Sequence, residues 1–556
     1  MIRKWRKNYP VGVSTNIEPI KQKSMLEVFH QTVDRYQQKV AYVEGNKTLS
    51  FYELEELSRY FAAYLQNDLN IKKGMRVALM CPNILSFLVA MWGVIRVGAV
   101  LVNVNPLYTA RELKHQLNDA EVETMIIFDS ALPVLDQIID DTGLKHVIKI
   151  DNVDIKQCLQ QNQIKTNKEQ QTQDSKVRLE NINLYPQVIN FSDALNLGKN
   201  SSLKEPVSDL DDLMFLQYTG GTTGLSKGAM LSHGNVLANL YQYEAFCRHL
   251  IRYGEEVVIT AIPMYHIFAL TVNVLCYFSF GASNHLIANP RDMKRFVNTW
   301  SKIKVTFFTG VNTLFNGLLH TAGFNQLDFS ALKLVIGGGA PVQDSVSDKW
   351  KKVTGKRINE GYGLSETSPI LTLNIEKCGQ YISGIGVPLP STDIVILDKN
   401  EQPVSDCQTG ELCAKGPQVM SGYWRDKDAT SQVMTKGGYF KTGDLALLDD
   451  LGYFHIVDRK KDMILVSGFN VYPNEIEAQV AQIDGVLESA CVGVEDSKTG
   501  EAIKLFVVKL NPELTKLDIE KYCRSQLAAY KVPKTIEFID SIPKSSVGKI
   551  LRRELR

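Results

Sequence analysis

Residues 76–104 read RVALMCPNILSFLVAMWGVIRVGAVLVNV, and this stretch decides the fold. Two short runs of β-forming residues, Arg76–Met80 and Val100–Val104, flank an apolar segment of helical length. Similar runs at Thr124–Phe128 and His146–Ile150 follow, again with helix-length segments between them. Strand-like and helix-like segments that alternate in this way are typical of a parallel sheet with crossover helices. The sequence therefore predicts an α/β fold.

The most apolar part of the chain, Phe87–Val102, is predicted to be a buried helix that runs into a strand. It contains Arg96 and is too short to span a bilayer. On either side the α/β pattern continues, with a predicted strand pair before it and further strands after it. These strands are Val40–Val43, Leu49–Phe51, Glu256–Ala261, Val305–Thr309 and Lys333–Ile336.

Three features mark the domain organisation. Residues 152–178 are polar and rich in Gln, Asn and Lys, which favours a surface insertion within a domain over a linker. At Asp393–Leu397 and Gly410–Lys415 the strands become short and glycine-punctuated, as in a small barrel or antiparallel sheet. After a charged break at Asp458–Asp462 the pattern is compact α+β, with predicted strands at Glu488–Val494 and Lys504–Leu510. We therefore predict an N-terminal domain over 1–458, a boundary at 459–463 and a small domain over 464–556.

Composition excludes some partners and compartments. The 556 residues carry a net charge of +1, so no global field attracts nucleic acid. Nine scattered cysteines without a CxxC pair indicate reduced thiols and a cytoplasmic protein. The start, Met1–Lys7, is basic and contains Trp5, but no apolar run follows, so it is not a signal peptide. This start leaves open peripheral contact with the inner face of a membrane, and the sequence leaves open a homodimer.

The stretch Tyr218–Gly228, YTGGTTGLSKG, contains almost no apolar side chain. Glycines and hydroxyls can present backbone N–H groups and O–H groups to a polyanion, and a lysine adds positive charge. We predict a loop that holds the phosphates of ATP. Its binding residues are Thr219, Gly220, Gly221, Thr222, Thr223, Gly224, Ser226 and Lys227.

Two other interpretations of this loop are weaker. A Walker loop requires Gly-Lys-[Ser/Thr], whereas here Lys227 stands between Ser226 and Gly228. The GxSxG pattern at 224–228 is found in serine hydrolases, which need a strand directly before the serine. The predicted strand, Met214–Tyr218, ends too early for that geometry. A serine hydrolase remains a distant alternative.

Six further motifs follow the loop along the chain, in the order Pro263–His266, Gly337–Pro341, Gly361–Thr367, Tyr439–Asp444, Asp458–Asp462 and Pro543–Lys549. With these motifs in this order, the chain resembles the adenylate-forming acyl-CoA synthetases, which include luciferases and peptide-synthetase adenylation domains. The similarity runs from about Met25 to the C-terminus and is strongest to bacterial long-chain fatty acid–CoA ligases.

The resemblance implies a two-step reaction. ATP converts a carboxylic acid to an acyl-adenylate with release of pyrophosphate, and coenzyme A then takes the acyl group as a thioester. It implies Mg²⁺ as cofactor, and a long-chain fatty acid, ATP and coenzyme A as substrates. A medium-chain or aromatic acid is the alternative substrate. A third possibility is a nucleotide-binding regulator that keeps the fold without the chemistry.

The resemblance also assigns the nucleotide site. Tyr362 offers a flat face to adenine, and Asp444 with Arg459 binds the ribose. Thr367 offers a hydroxyl to the α-phosphate, and Glu366 is an oxygen ligand suited to Mg²⁺. The site is completed by Gly339, Ala340, Gly361, Gly363 and, as a second metal ligand, Thr222.

A mobile C-terminal domain is implied as well. Lys549 would reach the α-phosphate and the acyl carboxylate during adenylation. Asp462 would be an exposed hinge residue that absorbs backbone rotation. After rotation, the segment Ser467-Gly468-Phe469 would face the site and open a channel for the thiol of coenzyme A.

The acyl site is the least determined. His266 is expected near the acyl group, although a histidine on an apolar run is also typical of a packed core. Amino-acid-activating relatives place a carboxylate at Tyr265–Phe268, and none is present here. Phe268–Phe280 and Val305–Leu319 fit an apolar tunnel and plain core equally well. Leu270 stands where some long-chain members carry a gating tryptophan, which leaves gating open.

Overall fold

A computed structural model describes residues 3–151, 155–160, 188–219, 226–376, 381–496, 498–545 and 548–556. The insertion predicted at 152–178 lies outside these ranges except for residues 155–160, which include the short helix Gln157–Gln160. The predicted α/β architecture is confirmed, since two mostly parallel sheets with their helices precede two smaller sheets.

The first sheet is built around residues 76–104. Arg76–Met80 and Val100–Val104 pair in parallel, and helix Leu85–Arg96 connects them. The last two strands of the sheet form an antiparallel pair, and the glycine loop joins them. Within the described residues, the seven strands in spatial order are Val188–Asn190, His146–Ile150, Thr124–Phe128, Arg76–Met80, Val100–Val104, Leu213–Thr219 and Lys227–Ser232.

The second sheet is parallel in its middle and antiparallel at both edges. Several of its central strands end at the motifs that carry the resemblance. Across the described part of the chain it has nine strands, in the order Val387–Pro388, Ile370–Leu373, Ile358–Gly363, Leu334–Gly337, Phe307–Gly310, Val257–Thr260, Ser283–Leu286, Val40–Glu44 and Lys47–Ser50.

Helices cover and separate the two sheets. Leu85–Arg96 is buried along its whole length and contacts strands of both sheets, which confirms the buried helix predicted there. No helix in the described ranges is long and apolar enough to cross a membrane. Besides Gln157–Gln160, the other α-helices described in the predicted N-terminal domain are Met25–Tyr36, Phe51–Asn67, Ala110–Asp119, Leu132–Asp136, Phe191–Lys199, His233–Cys247, Tyr277–Ser279, Met293–Trp300, Asn312–Leu319, Asp344–Thr354 and Lys427–Gln432. The segment Ala269–Cys276 is a π-helix.

Two smaller sheets complete the fold. A four-stranded antiparallel sheet, as predicted for the glycine-punctuated region, consists of Asp393–Leu397, Gly410–Lys415, Phe440–Leu448 and Phe454–Arg459. The C-terminal sheet contains the strands Ile464–Val466, Phe469–Val471, Val486–Asp496, Gly500–Lys509 and Thr535–Phe538. Helices Pro473–Val480 and Lys516–Gln526 belong to the same part of the chain and pack against each other.

The basic N-terminal start packs against the body of the protein. Trp5 lies in the short helix Lys4–Asn8 and is only 3% exposed. Arg3 and Lys4 form ion pairs with Asp393 and Asp406, each at 2.5 Å. The possibility of membrane contact rested on this basic, aromatic start. Trp5, Arg3 and Lys4 of the start are engaged in contacts within the chain.

Candidate functional site

A large cavity of about 1900 Å³ lies at the carboxyl ends of the parallel strands. Its walls come from both large sheets, the four-stranded sheet and the C-terminal segment. Thr219, Tyr362, Arg459 and Lys549 represent these four parts in the lining. Crevices at the carboxyl ends of parallel strands are where open α/β folds bind ligands.

The described ends of the glycine loop line this cavity. Thr219 and Lys227 face each other across the antiparallel pair that flanks the loop, and both line the cavity with Ser226. The predicted phosphate contacts at Gly220, Gly221, Thr222, Thr223 and Gly224 lie outside the described residues, as does the metal-ligand role of Thr222.

Side chains from distant parts of the sequence hold the end of this loop. Lys227 Nζ lies 3.4 Å from Asp426 Oδ2 and 5.6 Å from the centre of the Tyr423 ring. His115 Nε2 donates a hydrogen bond of 2.8 Å to the backbone carbonyl of Ser226. This histidine therefore fixes the backbone of Ser226, whereas a hydrolase would need a base at the serine hydroxyl.

Glu366 is a buried carboxylate in the cavity wall, 8% exposed. It accepts hydrogen bonds from Tyr423 Oη at 2.8 Å and Thr219 Oγ1 at 3.4 Å. No group of three or more His, Cys, Asp or Glu within the described ranges could hold a metal alone. A single carboxylate nevertheless suits Mg²⁺, which proteins commonly hold with one or two carboxylates and substrate phosphates.

Thr367 lies in the short turn Ser365–Thr367 and is fully buried. Its hydroxyl donates to the Pro369 carbonyl at 2.5 Å and accepts the Leu364 N–H at 3.0 Å. It is not part of the cavity lining. The predicted contact with an α-phosphate would require this turn to open, and the role stays a prediction.

Tyr362, Asp444 and Arg459 form a connected group, of which Tyr362 and Arg459 line the cavity and the buried Asp444 does not. Asp444 and Arg459 are paired on neighbouring strands, and Arg459 Nε lies 3.0 Å from Asp444 Oδ1. Tyr362 Oη donates to Asp444 Oδ2 at 2.6 Å. Burial, with the Asp444 charge, raises the pKa of Tyr362 well above its usual value, so the phenol stays a donor. Each carboxylate oxygen has two lone pairs, which leaves acceptor capacity for ribose hydroxyls.

The C-terminal segment brings Lys549 into the same cavity. Burial lowers the pKa of Lys549 to about 8, and the positive charge of Arg459 adds to this effect, whereas the Asp444 carboxylate opposes it. The preceding residue, Gly548, has φ of +75° and lies so close to Thr313 that a Cβ there would be 2.6 Å from Thr313 Oγ1. A glycine is therefore required for the segment to sit against the larger domain.

His266 also lines the cavity. Burial above all, and then the charge of Lys549, lowers its pKa to about 4. The imidazole is therefore neutral at pH 7, and its Nδ1 accepts the Phe268 N–H at 3.3 Å. Its expected place beside the acyl group stays a prediction.

The expectation that Asp462 is exposed is wrong. Its relative exposure is 9%, because the C-terminal segment folds back over the charged break. Arg556 Nη2 lies 3.4 Å from Asp462 Oδ1, and Arg552 Nη1 lies 3.9 Å from Oδ2. Arg552 also donates to both carboxylate oxygens of Glu477 at 2.8 Å. The hinge role and the boundary at 459–463 stay predictions.

The segment predicted to admit coenzyme A points elsewhere in this structure. Ser467 and Gly468 form a tight turn between two strands, with φ of 50° and 84°. Phe469 is 55% exposed and stacks on Tyr530, with ring centres 4.7 Å apart. None of the three predicted residues lines the cavity. In this structure Lys549, and not this segment, faces the cavity.

The other predicted site residues divide into two groups. Gly339, Gly361 and Gly363 line the cavity, whereas Ala340 does not. Leu270 is fully buried and is not part of the lining. The predicted tunnel segments contribute only Phe268 and Val272, and Val305–Leu319 contributes no lining residue. Most of these two segments is therefore core.

Sequence reasoning missed several residues of the site. Tyr423 binds Glu366, His115 binds Ser226, and Gln217 Nε2 donates to the Tyr265 carbonyl at 2.8 Å. One signal was available in Ser421–Trp424, where a glycine precedes two aromatic residues. A glycine in such a position indicates that another part of the backbone approaches closely. Nothing in the spacing of one sequence connects Tyr423 with Glu366, because the two meet only in the folded chain.

The fold and this site define a two-domain nucleotide-binding enzyme whose C-terminal lysine enters a cavity of the larger domain. Residues 29–424 match the family model described as AMP-binding enzyme, and residues 475–549 match the AMP-binding enzyme C-terminal domain. The chain belongs to the AMP-binding enzyme family.

Named relatives are similar over their whole length. The chain is 48% identical to a long-chain-fatty-acid–CoA ligase of Escherichia coli O157:H7, covering 100% of this chain and 98% of the relative. It is 35% identical to a Bacillus subtilis (strain 168) protein of the same name, covering 99% and 97%. Among solved structures, ATP-bound MatB from Rhodopseudomonas palustris superimposes with a TM-score of 0.81 at 27% identity, covering 96% and 98%.

Proposed function

We propose that this protein is an ATP- and Mg²⁺-dependent ligase that joins a long-chain fatty acid to coenzyme A. The observation that carries the proposal is that Lys549, Arg459 and Glu366 line one cavity, with Asp444, which is not itself in the lining, paired to Arg459. The full-length similarity to proteins named long-chain-fatty-acid–CoA ligase supports the choice of acid.

In the first step, a carboxylate oxygen of the acid attacks the α-phosphorus of ATP, and the bond to the bridging oxygen of pyrophosphate breaks. Asp444 and Tyr362 orient the nucleoside, and Lys227 draws the departing phosphates towards the loop. Lys549 provides positive charge where the acid and the α-phosphate meet. Positioned cations act here mainly by stabilising charge that develops in the transition state.

Glu366 is the residue that would hold Mg²⁺ together with the phosphates of ATP. When bound, Mg²⁺ supplies neutralisation of the phosphate charge and helps to align the phosphates for attack. Tyr423 and Thr219 keep the Glu366 carboxylate oriented through their hydroxyl groups.

In the second step, the thiol of coenzyme A loses its proton to water and attacks the acyl carbonyl, a C–S bond forms, and AMP leaves with the electrons of the C–O bond. Lys549 occupies the cavity in the orientation described above. For this step we propose that the C-terminal domain rotates about Asp462, so that Ser467, Gly468 and Phe469 replace Lys549. The exposure of Phe469 away from the cavity fits an element that acts only in a second orientation.

Acid-dependent pyrophosphate release tests the proposal. Purified protein is given ATP, Mg²⁺ and a panel of medium-chain, long-chain and aromatic acids, with and without coenzyme A. We expect one turnover without coenzyme A, sustained turnover with it, and the highest kcat/KM for long-chain acids. Preference for an aromatic or medium-chain acid would refute the long-chain assignment, and no acid dependence would refute the ligase.

The serine hydrolase alternative is tested in the same assay. Ser226→Ala should retain a substantial part of the ligase activity, because the proposed chemistry uses Ser226 only as one of several groups that face phosphate. A hydrolase would instead cleave thioesters or esters without ATP and would lose that activity entirely in Ser226→Ala.

A further inference from the structure

The chain from Ala269 to Cys276, directly after His266 and Phe268, forms a π-helix in which all eight residues are buried. π-Helices are rare, usually occur as a single turn, and are frequent at functional sites. This segment lies beside the cavity, since Phe268 before it and Val272 within it belong to the lining.

Side chains from outside the helix bind its backbone. Asn284 Nδ2 donates to the carbonyl oxygen of Asn273 at 2.9 Å, and Tyr42 Oη donates to that of Val274 at 3.1 Å. In a buried helix each carbonyl needs a hydrogen-bond donor. These two consecutive carbonyls receive theirs from side chains on strands of the second sheet. The external donors thus stabilise a backbone spacing that differs from that of an α-helix.

Four buried side chains form what we term the polar cluster: Thr260, Asn273, Asn284 and Thr309, none more than 2% exposed. Thr309 Oγ1 donates to Asn273 Oδ1 at 2.8 Å, and Asn273 Nδ2 donates to Thr260 Oγ1 at 3.0 Å. Thr260 Oγ1 in turn donates to Asn284 Oδ1 at 2.7 Å. Three strands of the second sheet each contribute one member, and the π-helix contributes Asn273.

A buried polar network that is satisfied in one geometry resists displacement, because any shift leaves a group without a partner. The polar cluster therefore fixes the π-helix on the sheet. It also fixes the side chains on the cavity side, Val272 and Phe268. The Phe268 ring already packs closely, since a Cβ at Gly338 would lie 3.2 Å from Phe268 Cε1.

We propose that the polar cluster determines acyl chain length: it holds the π-helix so that Phe268 and Val272 set the depth of the apolar part of the cavity. The inference rests on the proposed function, because chain length matters only for an acyl substrate. The cluster members do not line the cavity and act as positioning residues. The acyl chain itself is recognised by the apolar side chains that they hold.

A matched pair of variants tests the proposal. Thr309→Val keeps the shape but leaves Asn273 Oδ1 without its donor, whereas Thr309→Ser keeps the hydroxyl. The measurement is kcat/KM across a ladder of saturated fatty acids from short to long, together with KM for ATP. For Thr309→Val we expect the ratio between long and shorter acids to change by about tenfold, within the range that one methylene group is worth in a pocket. KM for ATP should stay unchanged, and Thr309→Ser should keep the original profile.

Two results would overturn the proposal: an unaltered chain-length profile in Thr309→Val, or an equal loss at every chain length. If Thr309→Val does not fold, Thr260→Val removes the hydroxyl at the other end of the Asn273 side chain and is judged by the same criteria. Failure of the proposed function is distinct, because the unaltered protein would then show no acid-dependent release of pyrophosphate.

Discussion

At the scale of single residues, the protonation of Lys549 is the most informative property. An ammonium held at a pKa of about 8 is mostly charged at neutral pH but loses its proton at moderately alkaline pH. Burial is the main cause, and Arg459 contributes with its own charge. A lysine of this kind is a compact charge on a flexible stem, which suits a group that enters and leaves a site.

The pH dependence of adenylation follows from this pKa. We expect kcat/KM for acid-dependent pyrophosphate release to fall as the pH rises through about 8, because the neutral amine no longer stabilises the phosphate charge. Lys549→Arg, whose guanidinium stays charged, should react more slowly but show no such fall. His266 cannot cause a fall in this range, since its pKa is about 4. An equal fall in Lys549→Arg would assign the titration to another group.

The family resemblance assigned Lys549, Asp444 and Glu366, and it did so from glycine-rich or turn-rich motifs in which charged residues rarely serve a core. These motifs did not predict the partners of these residues. Tyr423 and His115 belong to segments far from the residues that they bind, and although the glycine beside Tyr423 indicates close backbone approach, nothing near either residue identifies its partner. The burial of Asp462 was missed for the same reason, since Arg552 and Arg556 cover it only after folding.

At the scale of elements, the segment around Tyr423 supports the metal-binding side of the cavity. We expect Tyr423→Phe to raise KM for MgATP by about tenfold, because a hydrogen bond to a charged group contributes ~1.5–3 kcal/mol. Tyr253→Phe is the matched control, since Tyr253 also binds a glutamate, Glu244, but lies outside the cavity lining. The measurement is the dependence of pyrophosphate release on MgATP concentration. Equal KM values in the two variants would remove this role from Tyr423.

Strands were predictable where β-forming runs end at turn residues, and Arg76–Met80 and Val100–Val104 have the predicted bounds. The C-terminal strands are longer than predicted. Val486–Asp496 and Gly500–Lys509 pair along their whole length, which a run of mixed polar residues does not reveal. The π-helix was not predictable either. An apolar run without periodicity indicates burial, whereas the polar cluster that holds this helix is assembled from three strands and Asn273 of the helix itself.

At the scale of the whole molecule, the structure shows one relative orientation of the two domains. Asp458 accepts the Asn474 N–H at 2.9 Å, Gly548 packs on Thr313, and Arg552 approaches Asp462 at 3.9 Å. These contacts join the C-terminal part to the larger domain while Lys549 lies in the cavity. The proposed second orientation would have to break those contacts that reach the larger domain, and the proposed hinge at Asp462 would have to permit this exchange.

The hinge prediction concerns the backbone of Asp462. Its N–H donates to the Arg459 carbonyl at 3.0 Å, and proline would remove this donor and fix φ. We expect Asp462→Pro to slow thioester formation by at least about tenfold and to affect adenylation less. Asp462→Asn, which keeps the backbone free, is the control. Unchanged turnover in Asp462→Pro would locate the rotation elsewhere.

The claim that one cavity serves both steps is tested most directly by measuring each step separately in Lys549→Ala. Pyrophosphate release from ATP and fatty acid is measured in a single turnover, and thioester formation is measured from supplied acyl-AMP and coenzyme A. Lys531→Ala, which alters a C-terminal lysine paired with Glu475 outside the cavity lining, is the control. We expect Lys549→Ala to lose about 10²–10³-fold in the first step, as when one stabilising group is removed from a transition state, and to keep the second. Equal loss of both steps would contradict the two-orientation mechanism.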